Sequence, residues 1–134
     1  MGSILFASSS AETKREVVPF LMKRGHRVRA VEKGSEVLLA TLDEEPDLVI
    51  LDLELQELPG LKTIELIKRI RHRIPLIILS DDDSVEMGQR ILEKGVFSYL
   101  LKPLSLPYFG EMVECALHHP KKEGWAWPRL LQVG

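Results

Sequence analysis

Pro46-Asp47-Leu48-Val49-Ile50-Leu51-Asp52 is the stretch that decides the fold. Four aliphatic residues stand in a row between a helix-ending proline and a carboxylate. A run this short and this apolar reads as a strand covered on both faces. Residues 74–79 have the same character. Outward from these two, residues 4–7 and 96–101 are further buried strands, and residues 27–31 are mixed, as suits a strand near a sheet edge.

Amphipathic segments fill the gaps. Residues 11–24, closed by Gly25, are predicted to be helical, with Pro19 either kinking the helix or starting a second segment. Ser35 is predicted to cap a helix running to Glu44, with Val37, Leu38, Thr41 and Leu42 on one face and Pro46 beyond its end. Leu61, Ile64, Ile67 and Ile70 recur at helical spacing. Residues 84–94 form a helix closed by Gly95, with Met87, Ile91 and Leu92 inward. In residues 106–117, Leu106, Phe109, Val113 and Ala116 mark the last buried face. Strand and helix alternate five times, which implies an α/β domain with a parallel sheet covered by helices on both sides.

The whole chain has 134 residues, enough for one domain with a real core and too few for two of ordinary size. Acids outnumber bases by 20 to 18, which argues against a dedicated nucleic-acid binder. The single cysteine, Cys115, excludes an internal disulfide framework. No apolar run is long enough to span a bilayer, and the start lacks the pattern of a signal peptide, so a cytoplasmic location is expected.

In parallel α/β sheets, sites form at the carboxyl ends of the strands. The residues there are Ser8-Ser9-Ser10, Asp52, Ser80-Asp81-Asp82 and Lys102-Pro103. Singly, each has an ordinary reading: a turn aspartate, a cap serine, a solvated lysine. Together they put a carboxylate, hydroxyls and an ammonium on one edge, a set able to accept and neutralise a phosphoryl group.

With these residues in order, the chain resembles the receiver domains of two-component response regulators. The resemblance runs from residue 3 to about 118. It is carried by Ile4-Leu5-Phe6-Ala7, Pro46 to Asp52, Pro59-Gly60, Ile77-Ile78-Leu79-Ser80 and Tyr99-Leu100-Leu101-Lys102-Pro103. It implies a flavodoxin-like (βα)5 three-layer sandwich with strand order 2-1-3-4-5. It also implies that Asp52 takes a phosphoryl group from a histidine kinase or a phosphotransfer protein. Ser80 would then be the hydroxyl that turns toward the phosphoryl group, Lys102 its ammonium partner and Tyr99 the aromatic that moves with the hydroxyl. The segment 84–117 would be a face for homodimers. On this reading the chain is a signalling module, not an enzyme, and contacts neither nucleic acid nor membrane directly.

The pattern breaks in three places. Ser8 and Ser9 stand where the family carries two acids that hold a divalent cation with the acceptor. Magnesium prefers hard, anionic oxygens, so this exchange should weaken the site and leave Asp52 and Glu54 as its remaining candidate ligands. Gln56 replaces the usual proline. Asp81 follows Ser80 where a small residue is usual; it would repel an anionic donor, partly replace the missing ligands, or favour a helix start. A direct Asp52–Lys102 pair would then hold the domain near one conformation. A fully phosphorylatable receiver with replacement ligands is one alternative. Another is a flavodoxin-like protein whose Ser8-Ser9-Ser10 and Thr13 bind a flavin phosphate, although aromatics to stack the ring are missing.

The domain is expected over residues 1–119. Residues 120–134, with Trp125 and Trp127, form a docking tail or a linker. Basic residues cluster at Arg69, Arg71, His72 and Arg73, and are read as charges favouring a helix C-terminus.

Overall fold

A computed structural model describes residues 2–118, so the tryptophan-bearing tail lies outside the described residues. Ten elements alternate: β1 (Ser3–Ala7), α1 (Ala11–Lys23), β2 (Arg27–Val31), α2 (Gly34–Glu44), β3 (Leu48–Asp52), α3 (Gly60–Ile70), β4 (Leu76–Ser80), α4 (Val85–Leu92), β5 (Ser98–Leu101) and α5 (Leu106–His118). The sheet order is β2-β1-β3-β4-β5, all parallel. This is the flavodoxin-like arrangement expected from the alternation and the resemblance.

The two-residue period of each strand divides the core. Leu5, Ala7, Val49, Leu51, Leu76 and Ile78 face α2, α3 and α4, meeting Val37, Ile64, Ile67 and Ile91. Ile4, Phe6, Leu48, Ile50, Ile77 and Leu79 face α1 and α5, meeting Val17, Leu21, Phe109 and Val113. All five residues of β3 and of β4 are buried, as continuous apolar runs between two helical layers must be.

Two details differ from the sequence reading, and one open alternative is decided, since Pro19 does not begin a second segment. α1 runs through Pro19 as one helix. The carbonyl that loses its partner belongs to Arg15, and both residues lie on the exposed face, where water can reach it. Ser35 does not cap α2: Gly34 begins the helix, Lys33 is the cap residue, and Glu36 reaches back to accept the Lys33 N–H at 3.1 Å. Leu42 faces solvent, and Ala40 takes the inward place beside Val37 and Thr41.

Candidate functional site

The carboxyl ends of β1, β3, β4 and β5 meet at one edge. Asp52 closes β3 and is fully buried. Ser8 follows β1, the neighbour of β3, and is also buried. Lys102 follows β5, which is separated from β3 by β4. Its backbone N–H donates to the Ser80 carbonyl at 2.8 Å. Only a long side chain can cross the end of β4 from there, and the small Ser80 leaves that path open.

Both reach the same atom. The Ser8 hydroxyl donates to Asp52 Oδ2 at 2.6 Å, and Lys102 Nζ lies 2.8 Å from that oxygen. Asp52 Oδ1 accepts the Glu54 N–H at 3.0 Å. The carboxylate is thus satisfied on both oxygens without leaving the chain, as a buried charge requires. Ser8 is itself oriented, because its oxygen accepts the Ser10 N–H at 3.0 Å. Ser10 then caps α1 by accepting from the Thr13 N–H at 3.2 Å.

Ser9 acts on the next loop. Its N–H and its hydroxyl both donate to the Glu54 carbonyl, at 2.8 and 3.0 Å. The Glu54 side chain is over half exposed, with Oε1 at 3.9 Å from Lys102 Nζ. The hydroxyls of the loop after β1 are turned onto their own chain.

Ser80 and Tyr99 form a second group beside the first. Ser80 Oγ accepts the Asp82 N–H at 2.9 Å, and the Tyr99 hydroxyl donates to the Asp82 carbonyl at 2.6 Å. Burial pushes the Tyr99 phenol above its ordinary range; a hydrogen bond with Ser80 works in the opposite direction, and the Asp82, Asp83 and Asp81 carboxylates add to the rise. Asp82 also accepts the Ser84 N–H at 2.9 Å, which holds its carboxyl below the usual range. Asp81 is exposed. Ser84 caps α4. The structure therefore gathers Ser8, Asp52 and Lys102, places Ser9 and Glu54 against one another, and leaves Ser80 with Tyr99 and Asp82.

Among the described residues no group of three or more His, Cys, Asp or Glu side chains could hold a metal ion. An ion at Asp52 Oδ2 would compete with the Lys102 ammonium and the Ser8 hydroxyl, and one at the Glu54 carbonyl with both donors of Ser9. Magnesium's preference for several anionic or carbonyl oxygens is poorly met here. The basic residue Arg71 plays a structural part. Its Nε and Nη2 donate to the Thr41 and Leu42 carbonyls, each at 3.1 Å, near the end of α2 and not of its own helix. His26 lies on the opposite end of the sheet, with Nε2 at 2.9 Å from Glu114 and Nδ1 accepting the Gly2 N–H at 3.1 Å.

Sequence reasoning missed the leucines of the loop after β3. Leu53 and Leu55 pack on the core, and the Leu58 side chain lies where a Cβ at Gly34 would sit. The spacing of these leucines was the available signal.

Residues 5–114 match the response regulator receiver domain family, and the chain belongs to it. The transcriptional regulatory protein ZraR of Salmonella typhimurium is 32% identical over 104 residues, covering 78% of this chain and 24% of that protein. The DNA-binding transcriptional regulator NtrC of Azospirillum brasilense is 30% identical over 116 residues, covering 87% and 24%. The chain thus spans about a quarter of the length of these relatives. Among solved structures, NtrX of Brucella abortus superposes with a TM-score of 0.80 at 26% identity, covering 87% of this chain and 27% of that one. The receiver domain of Francisella response regulator 1452 shares the fold, with a TM-score of 0.82 at 22% identity over 87% and 97% of the two chains. Among the described residues no helix is long and apolar enough to cross a membrane.

Proposed function

We propose that this receiver domain is an atypical member, lacking the acidic pair after β1, in which metal-dependent phosphorylation of Asp52 is weakened. It serves mainly as a signalling interaction module in the cytoplasm. The observation that carries this reading is the Ser8 hydroxyl, 2.6 Å from Asp52 Oδ2, in the place of a carboxylate. To form an aspartyl phosphate, a carboxylate oxygen of Asp52 attacks the phosphorus of a phosphohistidine and the imidazole leaves. The incoming phosphoryl charge must be balanced, and electrostatic balance supplies most of the catalysis in such transfers. Among the described residues Lys102 is the one cation paired with the acceptor, and it is already committed to Oδ2. A cation recruited by Asp52 and Glu54 alone would add little.

The partners that fit this reading are a histidine kinase or a phosphotransfer protein at the Asp52 edge, and a second copy at the face formed by α4, β5 and α5. Val85, Leu101 and Tyr108 are exposed there. Contact with nucleic acid would fall to another part of a longer regulator, not to this domain. Amide NMR spectra with and without magnesium, then with beryllofluoride, test the reading. The expected result is no saturable shift near Asp52, Ser80 and Lys102 at low millimolar metal. Saturating shifts there would overturn it and favour a phosphorylatable receiver with replacement ligands.

A further inference from the structure

We propose that residues 53–59 form a strap closed permanently by the chain's own donors, with Ser9 as the positioning residue that holds the Glu54 carbonyl. The inference deepens the proposed function and rests on its reading of Ser8 and Ser9 as replacements for acids.

The strap is fastened at successive points by separate groups. At Glu54 the carbonyl takes both donors of Ser9. At Gln56 the backbone pairs with the loop before α2: its N–H donates to the Glu32 carbonyl at 3.1 Å, and its carbonyl accepts the Gly34 N–H at 2.9 Å. The result is an isolated parallel bridge between Lys33 and Gln56, beyond the ends of the regular strands. A proline at 56 would have no N–H to give, so the bridge depends on the departure from the family's usual residue. At Glu57 the carboxylate accepts the N–H and the hydroxyl of Ser35, which holds that carboxyl below its ordinary range. Glu57 adopts φ 75°, the left-handed region, which a non-glycine residue keeps only when its surroundings demand it. Leu53, Leu55 and Leu58 anchor the underside.

Each of these fastenings joins groups of the chain itself. The loops after β1, β2 and β3 become one rigid surface around Asp52, and a partner that reads this edge meets a single shape. The ends of the fastening lie in two different loops, so they cannot all be released by a change at Asp52 alone.

Amide hydrogen exchange of the intact chain, followed by NMR in metal-free buffer and again with magnesium, tests the strap. The Ser9, Gly34 and Gln56 amides should exchange slowly without metal and be unchanged by it. Ser9→Ala should speed Gly34 and Gln56 about five- to tenfold, as loss of one hydrogen bond implies, and Ser9→Thr should restore protection. Fast exchange of these amides in the metal-free wild type, or protection that appears only with magnesium, would overturn the strap. Magnesium-dependent shifts at Asp52 with the three amides still slow would sink the weakened-phosphorylation reading and leave the strap standing.

Discussion

Lys102 and Ser8 converge on one oxygen, Asp52 Oδ2, from strands on opposite sides of β3, at 2.8 and 2.6 Å. In a receiver with three clustered acids, the acceptor carboxylate is repelled by its neighbours until a cation arrives. In this chain it is attracted by them. Asp52→Asn should therefore lower stability in metal-free buffer by about 1–3 kcal/mol, because a largely buried ammonium loses its counter-charge. Urea denaturation checks this, and a clear rise in stability would contradict the pairing.

Ser8 can be tested in two directions. Ser8→Ala removes a donor to Asp52 and an acceptor for the Ser10 N–H, at a cost of about 1–3 kcal/mol. The double variant Ser8→Asp with Ser9→Asp should be less stable than wild type without metal and should regain stability as magnesium is added. The wild-type melting temperature should not respond to magnesium. Thermal melts across a magnesium series measure both, because an ion bound only by the folded state raises the melting temperature by mass action.

Gln56→Pro should cost about 1 kcal/mol by deleting the N–H that donates to Glu32. The effect should appear locally, as faster exchange at Gly34, with the exchange of β4 amides unchanged. Equal acceleration everywhere would show a global loss of stability instead.

Lys68 is half-buried, and burial pushes its amine below the ordinary lysine range. Its charged form is disfavoured in the folded state, so folding weakens as pH falls through the folded value and recovers as pH rises. Lys68→Met should stabilise the domain at pH 7, by no more than about 1 kcal/mol, and flatten the alkaline part of the stability curve.

The acid side carries the opposite sign. Hydrogen bonds from Ser35 to Glu57, from the Ser84 N–H to Asp82 and from Lys94 to Glu65 each lower a carboxyl in the folded state. Their contribution is complete above the unfolded carboxyl range, near about pH 4, and is lost as pH falls through the lower folded values. Melting temperature measured against pH should therefore decline below that point. In Ser35→Ala the decline should be shallower, since Glu57 loses the hydroxyl that contributes most to lowering it and keeps only the backbone N–H of residue 35 and the charge of Lys33.

The parts of this protein that were legible in its sequence share a cause. The strands at 48–52 and 76–80 are buried on both faces, so their composition alone marks them. Asp52, Ser8 and Lys102 were legible because a strand end fixes where a side chain emerges. Ser35 and Leu42 were misread because α2 starts one residue earlier than its serine, at a glycine that Leu58 packs against from a distant loop. Pro19 left two outcomes open, since only its exposure decides whether the orphaned carbonyl can be hydrated. The strap was out of reach for a deeper reason: its fastenings at Glu54 and Gln56 are backbone groups, which every residue carries and no pattern displays.

The contact of His26 with Gly2 and Glu114 has a mechanical meaning. The first residue of the described chain and the last turn of α5 lie side by side, and a Cβ on Gly2 would come within 2.7 Å of Leu117. A force drawn between the two ends would load this seam first, peeling α5 from the start of β1. The Asp52 edge lies at the far end of the strands and would feel the pull last. A pull on the ends of the described domain would thus be taken up far from Asp52.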